Sequence, residues 1–388
     1  MSVTNLSVAG TKQGISKSSG LKGPLVIPQE WAERMLIGRT KNYLHQVAGG
    51  FLSSNDWANE WRGTIQNNTY ALLTTGSWDY TNTVYVPPLK QMFRIAGNGT
   101  TTSTYALDVT VGATGTWTSK ANQPLASMFG MIAVYDPVNV RIYVVGRDIN
   151  NTNTAVYYYD PLANTWSSAL STTGLTNSSY GCAMYRNGKI YLLGGSNAGT
   201  AINNTQIYDI ASNTWSAGTS SAASIGTHYG TAFGVPETGP HAGKMVLIGG
   251  YNGSMLTHTS YYIFDPDGNS GAGSWSSQAL TIPQTYSSDG LAYVRSYGQL
   301  SACVGHWFLL FGGNIVNSGN AAEHYAIDTL NNIVYQSNSG VGGVLTRNAA
   351  VYAGTIWGGS STNIWGRTVP GGVYATTLQL LAKQYGTV

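Results

Sequence analysis

Short apolar runs alternate with polar turns along most of this chain, and residues 178–215 show the pattern in full. Two apolar segments of about five residues meet at an Asn-Gly pair at 187–188. A double glycine at 194–195 ends the second segment, a third segment carries Tyr208, and a fourth opens at Trp215. Apolar runs of this length between turn residues are typical of buried β-strands. The stretch therefore predicts four consecutive strands.

The same pattern recurs along the chain. The glycine that ends each second segment is found at Gly97, Gly146, Gly194, Gly249, Gly312 and Gly358. The aromatic residue that opens each fourth segment is found at Trp117, Trp166, Trp215, Trp275 and Tyr335. A repeat with a period near 50 residues predicts a propeller of four-stranded blades rather than a helical solenoid. Each repeated aromatic residue offers a large apolar face to fill the wedge between blades.

The sixth copy lacks a fourth strand, and the missing piece is found near the start of the chain. Residues 68–76 repeat the pattern of residues 164–174, and Tyr70 stands one period before Trp117. We therefore predict that this N-terminal strand completes the last blade. Such pairing closes the ring and covers both sheet edges.

Two segments carry a family resemblance. Gly-Lys-Ile-Tyr-Leu-Leu-Gly-Gly (188–195) and Tyr-Tyr-Asp-Pro-Leu-Ala-Asn-Thr-Trp (158–166) resemble the kelch pattern. The resemblance covers about residues 68–369 and implies a fold but not a function. The expected fold is an all-β, six-bladed kelch-like β-propeller of four-stranded blades, closed by an N-terminal strand and flanked by short extensions.

The extensions differ from the repeats. Residues 1–67 are predicted to form an N-terminal arm with a helix over 28–47, and residues 370–388 a C-terminal tail. The first part of the arm is either a disordered terminus or an extended segment that orders against a neighbouring subunit. Trp57 and Trp61 lie close together outside the repeats, so we expect them to be buried beneath the propeller or against another chain.

Composition narrows the class of protein. Charged residues make up 9% of the chain, against about 25% in typical soluble domains. Either many turns or an extensive subunit interface explains this low value. The formal net charge is +3 without a basic stripe, so no nucleic-acid partner is predicted. No apolar run approaches the length of a membrane span, and the N-terminus does not resemble a signal peptide. The chain is expected to stay in the cytoplasm or to leave it by a non-classical route.

Candidate chemistry is sparse. Residues 265–271 begin like a calcium loop, but Ser276 stands where the loop needs its glutamate, so we interpret them as a turn. The six histidines show no metal-binding spacing. Kelch-like oxidases and propeller glycosidases remain alternatives. Arg295 and Arg347 support only the glycosidases, because sialidases use an arginine cluster. Cys182 and Cys303 are expected to be buried free thiols. We predict no cofactor, no metal and no catalytic residue.

The long loops are expected to share one face of the propeller. Its candidate binding residues are Trp78, Tyr80, Tyr180, His228, Tyr251, Tyr286 and Tyr297. Aromatic side chains among Asn and Ser are typical of surfaces that contact sugars or proteins. Alternatively, the tyrosine that precedes several first strands, as at Tyr180 and Tyr297, is only a feature of the repeat.

These observations favour a non-enzymatic structural subunit of a larger assembly. Its composition, rich in Asn, Thr, Ser and Gly, is similar to that of viral structural proteins, so we expect a phage virion protein of the tail or capsid. It would be assembled in the host cytoplasm and attached to other subunits through residues 1–67 and 370–388. A carbohydrate- or receptor-binding propeller is the alternative, and a kelch-like oxidase or glycosidase is a third.

Overall fold

The computed structural model describes residues 68–69, 82–95, 102–108, 110, 117–124, 128–148, 154–198, 200–221, 232–249, 260–280, 300–304, 306–311, 314–315, 319–320, 323–338, 350–352, 355–359 and 364–368. All of these belong to one compact unit, Ile65–Thr368. The predicted helix over 28–47, Trp57, Trp61 and the C-terminal tail lie outside the described residues. In the part of the chain that is described, no helix is long and apolar enough to cross a membrane.

The described strands form six four-stranded antiparallel sheets. A short strand, β1 (Asn68–Thr69), precedes the first sheet. The first sheet consists of β2 (Asn82–Val86), β3 (Gln91–Ile95), β4 (Thr104–Asp108) and β5 (Trp117–Lys120). The second consists of β6 (Met128–Asp136), β7 (Arg141–Asp148), β8 (Thr154–Asp160) and β9 (Thr165–Trp166).

The third sheet contains a small extra hairpin between its second and last two strands. Its strands are β10 (Cys182–Arg186), β11 (Lys189–Leu193), the hairpin β12 (Ser196–Asn197) and β13 (Thr200–Ala201), then β14 (Thr205–Asp209) and β15 (Thr214–Ala217). The fourth sheet consists of β16 (Ala232–Gly234), β17 (Met245–Ile248), β18 (Ser260–Asp265) and β19 (Ser274–Ala279). Short 3₁₀ turns at Pro87–Leu89 and Asn269–Gly271 lie in the first and fourth sheets.

The fifth sheet has a similar small hairpin. Its strands are β20 (Leu300–Val304), β21 (Trp307–Phe311), the hairpin β22 (Asn314–Ile315) and β23 (Gly319–Asn320), then β24 (Glu323–Asp328) and β25 (Ile333–Asn338). The sixth sheet consists of β26 (Ala350–Tyr352), β27 (Thr355–Gly359) and β28 (Ile364–Thr368). Strand β1 pairs antiparallel with β28 through Asn68↔Gly366 and Thr69↔Trp365, so this sheet combines strands from both ends of the unit.

Hydrophobic cores lie between successive sheets. The core between the second and third sheets includes Ile132, Tyr143, Val145, Val156, Ala183, Ile190, Leu192, Tyr208 and Trp215. The core between the third and fourth includes Cys182, Met184, Tyr191, Leu193, Ile207, Met245, Leu247 and Phe264. Similar cores join the first sheet to the second and the fourth to the fifth. The second, third and fourth sheets thus bury both faces, which explains why their strands are near-continuous apolar runs.

The Asn-Gly pair predicted as a hairpin turn is confirmed. Asn187 has φ +49° and Gly188 has φ +75°, and Arg186 pairs with Lys189 on either side. Two positive φ angles in a two-residue connection match the right-handed twist of the flanking strands. Together, the sheets and their cores confirm an all-β propeller with four-stranded blades.

Candidate functional site

Each sheet has two ends. We call the end with the links from second to third strands, and from each sheet to the next, the loop face; the opposite end is the turn face. Of the seven residues predicted to form a contact surface on the loop face, six lie outside the described residues: Trp78, Tyr80, His228, Tyr251, Tyr286 and Tyr297. The seventh, Tyr180, lies between the second and third sheets.

Tyr180 joins two sheets and is only 2% exposed. Its backbone N–H donates to the Gly130 carbonyl at 2.8 Å. Gly130 has φ +59° and lies where the pairing of β6 with β7 shifts between Phe129 and Ile132. A Cβ at Gly130 would come within 2.9 Å of the Tyr180 ring. A β-bulge of this kind re-aims the local backbone, and here the ring packs against it. Tyr180 is therefore a packing residue in this structure rather than part of an accessible binding surface.

Three buried serines surround Tyr180 at the loop face. Ser178, Ser179 and Ser196 are each at most 2% exposed. The Ser178 hydroxyl donates to the Gly194 carbonyl at 2.8 Å, and the Ser179 hydroxyl to the Ser196 carbonyl at 3.2 Å. The backbones of Ser179 and Ser196 also exchange two hydrogen bonds. A catalytic serine needs an adjacent base and an exposed oxygen, whereas these hydroxyls hold the extra hairpin against the link that enters the third sheet.

Two buried arginines were not predicted from the sequence. Arg94 is 1% exposed and Arg147 is 2% exposed. The Arg94 guanidinium lies 5.7 Å from the centre of the Tyr105 ring, and burial lowers its pKa to about 10, so it stays charged at neutral pH. The only sequence feature that could have indicated the burial of Arg94 was its position as a single cation in the apolar strand β3. The arginines that the sequence did single out, Arg295 and Arg347, lie outside the described residues.

A repeated tryptophan ties the second, third and fourth sheets each to the sheet before it. Its indole N–H donates to a carbonyl in the link that leaves the preceding sheet. These bonds are Trp166 to Ala121 (2.9 Å), Trp215 to Ser171 (2.9 Å) and Trp275 to Thr219 (2.8 Å). The sequence predicted that these rings fill the space between blades. The structure adds that each ring also makes a hydrogen bond to the preceding sheet's outgoing link.

The asparagine two residues before the tryptophan reinforces this connection. Asn164 Oδ1 accepts from the Ala121 N–H at 2.9 Å and from the Tyr159 hydroxyl at 2.6 Å. In the next sheet, Asn213 Oδ1 accepts from the Ser171 N–H at 3.0 Å and from the Tyr208 hydroxyl at 2.7 Å. We call each asparagine–tryptophan pair, together with the link to which it is hydrogen-bonded, a sheet latch. The latches assign the Asn-Thr-Trp motif a structural role.

Carboxylates on the turn face cap turns. Each accepts a backbone N–H two or three residues further along the chain, at Asp136, Asp160, Asp209, Asp265 and Asp328. The backbone N–H and hydroxyl of Ser212 lower the pKa of Asp209. Short polar side chains that bond their own turn are expected at such positions. These carboxylates are thus already engaged in holding the fold.

The calcium-like loop is held by cations of the protein. Asp265 lies 2.8 Å from the Lys244 ammonium, and Asp267 accepts two hydrogen bonds from the Arg186 guanidinium. This arrangement agrees with the interpretation of residues 265–271 as a turn. Among the described residues, no group of three or more His, Cys, Asp or Glu side chains could hold a metal ion.

Both cysteines are free thiols. Cys182 is fully buried in the core between the third and fourth sheets. Burial raises the pKa of the Cys303 thiol, and the Glu237 carboxylate adds to the shift. A raised pKa suppresses the thiolate that makes a cysteine reactive. The prediction of free thiols is confirmed for both cysteines; burial is confirmed for Cys182, whereas Cys303 is half-buried.

Two histidines take part in a network between the fourth and fifth sheets. His306 Nε2 lies 3.4 Å from Asp328 Oδ1, and both side chains are nearly inaccessible. His241 Nε2 lies 3.0 Å from the Tyr261 hydroxyl, which donates to Asn332 Oδ1 at 2.7 Å. Burial lowers the pKa of both His241 and His306, while Asp328 partly opposes the shift at His306. The neutral imidazoles are therefore part of the folded state.

This network predicts acid sensitivity. The folded pKa of each histidine lies below the unfolded value of 6.5, so below that pH the unfolded chain binds more protons. The free energy of unfolding is therefore fully maintained above pH 6.5 and falls as the pH drops through the folded pKa values. Urea unfolding at a series of pH values measures the slope. The double variant His241→Gln/His306→Gln keeps a side-chain N–H at both places and should show a smaller slope. An unchanged slope would show that other groups cause the acid sensitivity.

Four-stranded sheets joined by aromatic wedges define the chain as a β-propeller. Its sequence matches the Kelch motif over residues 179–221, the third sheet with its links. The chain is also similar to the protein described as "Structure of YjhT", with a TM-score of 0.56 and 14% identity over 76% of this chain and 95% of that one. At this identity the likeness shows the fold alone. No curated protein sequence matches the chain. The chain is thus a β-propeller, and its third sheet matches the Kelch motif.

Proposed function

We propose that this chain is a non-enzymatic interaction scaffold whose propeller is a closed ring of six blades. Strand β1 completes the sixth sheet, and β26 of that sheet lies beside β2 of the first. The observation that carries the proposal is that the polar side chains described above form hydrogen bonds within the fold. The turn-face carboxylates and the loop-face serines near Tyr180 all hold strands or links together. Such a body is suited to presenting a fixed surface rather than to moving protons.

The terminal segments are the proposed attachments. Residues 1–67 and 370–388 lie outside the repeats, and the first of them contains Trp57 and Trp61. Large aromatic residues dominate the energetics of protein interfaces, and charge is depleted at interface cores. The low charged fraction of 9% therefore favours a subunit that contacts other proteins. Within this class we propose a phage virion component, of the tail or capsid, assembled in the host cytoplasm.

Cross-linking tests the attachment. Isotope-labelled and unlabelled chains would be mixed and treated with an amine-reactive cross-linker, and mass spectrometry would identify peptides linked between chains. Lysines of the terminal segments are Lys12, Lys17, Lys22, Lys41 and Lys383. Lysines of the propeller, which serve as the internal control, are Lys90, Lys120, Lys189 and Lys244. We expect links between chains to concentrate at the terminal lysines. A monomer by light scattering, or links confined to the propeller lysines, would contradict the proposal.

Carbohydrate or receptor binding is the second candidate. It is favoured by the aromatic residues predicted for the loop face, among them Trp78, Tyr251 and Tyr286. Aromatic rings supply the flat apolar surfaces that sugars stack against. A glycan array with the full chain tests it, with the variant Tyr251→Ala/Tyr286→Ala as control. Binding that survives in the variant would remove this face as the site. An oxidase would instead contain stoichiometric copper, which metal analysis measures.

A further inference from the structure

The turn between β10 and β11 is a short, open connection. Asn187 is exposed, and Gly188 follows it with φ +75°. A Cβ built at Gly188 would meet no atom within 4 Å. Residue 188 therefore has no side chain that crowds its peptide nitrogen, and the space beside its Cα is open. This is the local environment in which an asparagine side chain reacts with its own backbone.

We infer that Asn187 is a site of spontaneous deamidation. The backbone nitrogen of Gly188 attacks Cγ of Asn187, so that an N–Cγ bond forms and the Cγ–Nδ2 bond breaks. The amide nitrogen leaves as ammonia, taking up the proton lost by the backbone nitrogen. Solvent water then opens the resulting five-membered imide at either carbonyl. The products are aspartate and isoaspartate at this position, and no oxidant or reductant is needed.

Three other described asparagines with positive φ are protected. Asn164, Asn213 and Asn332 accept hydrogen bonds from buried tyrosine hydroxyls. Each is followed by a β-branched residue, Thr165, Thr214 or Ile333. A branched Cβ crowds the backbone nitrogen that would have to attack. The same left-handed backbone is thus reactive at residue 187 and inert within the sheet latches.

Tyr185 controls the rate. The Gly188 N–H donates to the Tyr185 hydroxyl at 3.1 Å. This bond holds the attacking nitrogen and its proton in place and restrains the turn. Loss of the hydroxyl frees both, so the reaction is slower in the native chain than the exposed sequence alone implies.

The product changes the charge and lengthens the backbone at residue 187. The new carboxylate adds one negative charge between Arg186 and Lys189, which lowers the formal net charge from +3 to +2. Isoaspartate also adds a methylene group to the backbone of a turn that sets the Arg186↔Lys189 pairing. Arg186 is the residue that holds Asp267 of the fourth sheet. Deamidation therefore acts at the contact between two sheets.

Peptide mapping of the full-length folded chain tests the inference. Samples would be aged in mildly acidic and mildly alkaline buffer and cleaved with chymotrypsin, which releases residues 186–191 as one peptide. We expect this peptide to gain the mass difference between an amide and a carboxyl group, faster in alkaline buffer. Peptides with Asn164 and Asn213 should stay unchanged. Asn187→Gln should abolish the gain at this peptide, and Tyr185→Phe should accelerate it severalfold.

Two outcomes would overturn the inference. The first is a native peptide that stays unmodified while the same chain, unfolded in urea, is modified at that peptide, because the fold would then block the reaction. The second is equal modification at Asn164 and Asn213, because the site would then have no selectivity. An equal rate in native chain and Tyr185→Phe would remove the role of the hydroxyl. Thermal unfolding of both variants verifies that they remain folded.

Discussion

Replacing Trp215 with alanine will lower the free energy of unfolding by about 3–5 kcal/mol, as expected for truncation of a buried aromatic side chain. Trp215 is 7% exposed and its ring lies 5.0 Å from that of Tyr208. The change opens a cavity between the second and third sheets and removes the bond to the Ser171 carbonyl. Urea unfolding followed by tryptophan fluorescence and circular dichroism measures the loss.

Trp215→Phe is the matched control. Phenylalanine keeps most of the apolar volume but cannot donate to the Ser171 carbonyl. A lost hydrogen bond of this kind costs about 1 kcal/mol, so the loss should be clearly smaller than for alanine. If both variants lost the same free energy, the hydrogen bond rather than the packed ring would be the main contribution of the latch. A loss below about 1 kcal/mol for alanine would contradict the latch altogether.

Gly195→Ala is expected to cost about 2–5 kcal/mol, because backbone strain and overpacking add at this position. Gly195 has φ +107°, a conformation that side chains strongly disfavour. A Cβ there would come within 2.7 Å of the Ser179 carbonyl oxygen and 3.2 Å of the Gly181 nitrogen. These are backbone atoms of the strand entry, so they cannot move without breaking the Ser179–Ser196 bonds.

Gly188→Ala separates strain from crowding. Gly188 also has a positive φ, but a Cβ there meets no atom within 4 Å. Its cost should be limited to the strain of about 1–2 kcal/mol for a left-handed residue. Equal losses for the two glycines in urea unfolding would show that the close approach of Gly195 to Ser179 does not matter for stability.

The strands could be predicted from the sequence because the signals that define them are local. The apolar runs, the Asn-Gly turn and the glycine that ends each second strand all act within a few residues. Residues 188–195 illustrate this, since their order alone predicts turn, strand and stop. The repeat then allows the same strand assignment to be made for each copy along the chain.

The partners of repeated residues could not be predicted in the same way. Trp215 was expected to fill space, but its bond to Ser171 joins positions 44 residues apart in different sheets. Such a contact depends on how two sheets are oriented. Tyr180 was expected at a contact surface, yet a bulge at Gly130 in the preceding sheet provides the place where its ring packs. Arg94 gave too weak a signal because a lone cation in an apolar strand does not indicate which groups accompany it.

The direction of the tryptophan bonds between sheets has a consequence for synthesis of the chain. Trp166, Trp215 and Trp275 each reach back to a link that was made earlier. Because the chain is made from its N-terminus, the link that each tryptophan bonds has left the ribosome before the tryptophan itself. The sixth sheet reverses this order, since its strand β1 is made first and its partner β28 last. Strand β1 therefore cannot form its pairing with β28 until translation has passed residue 368.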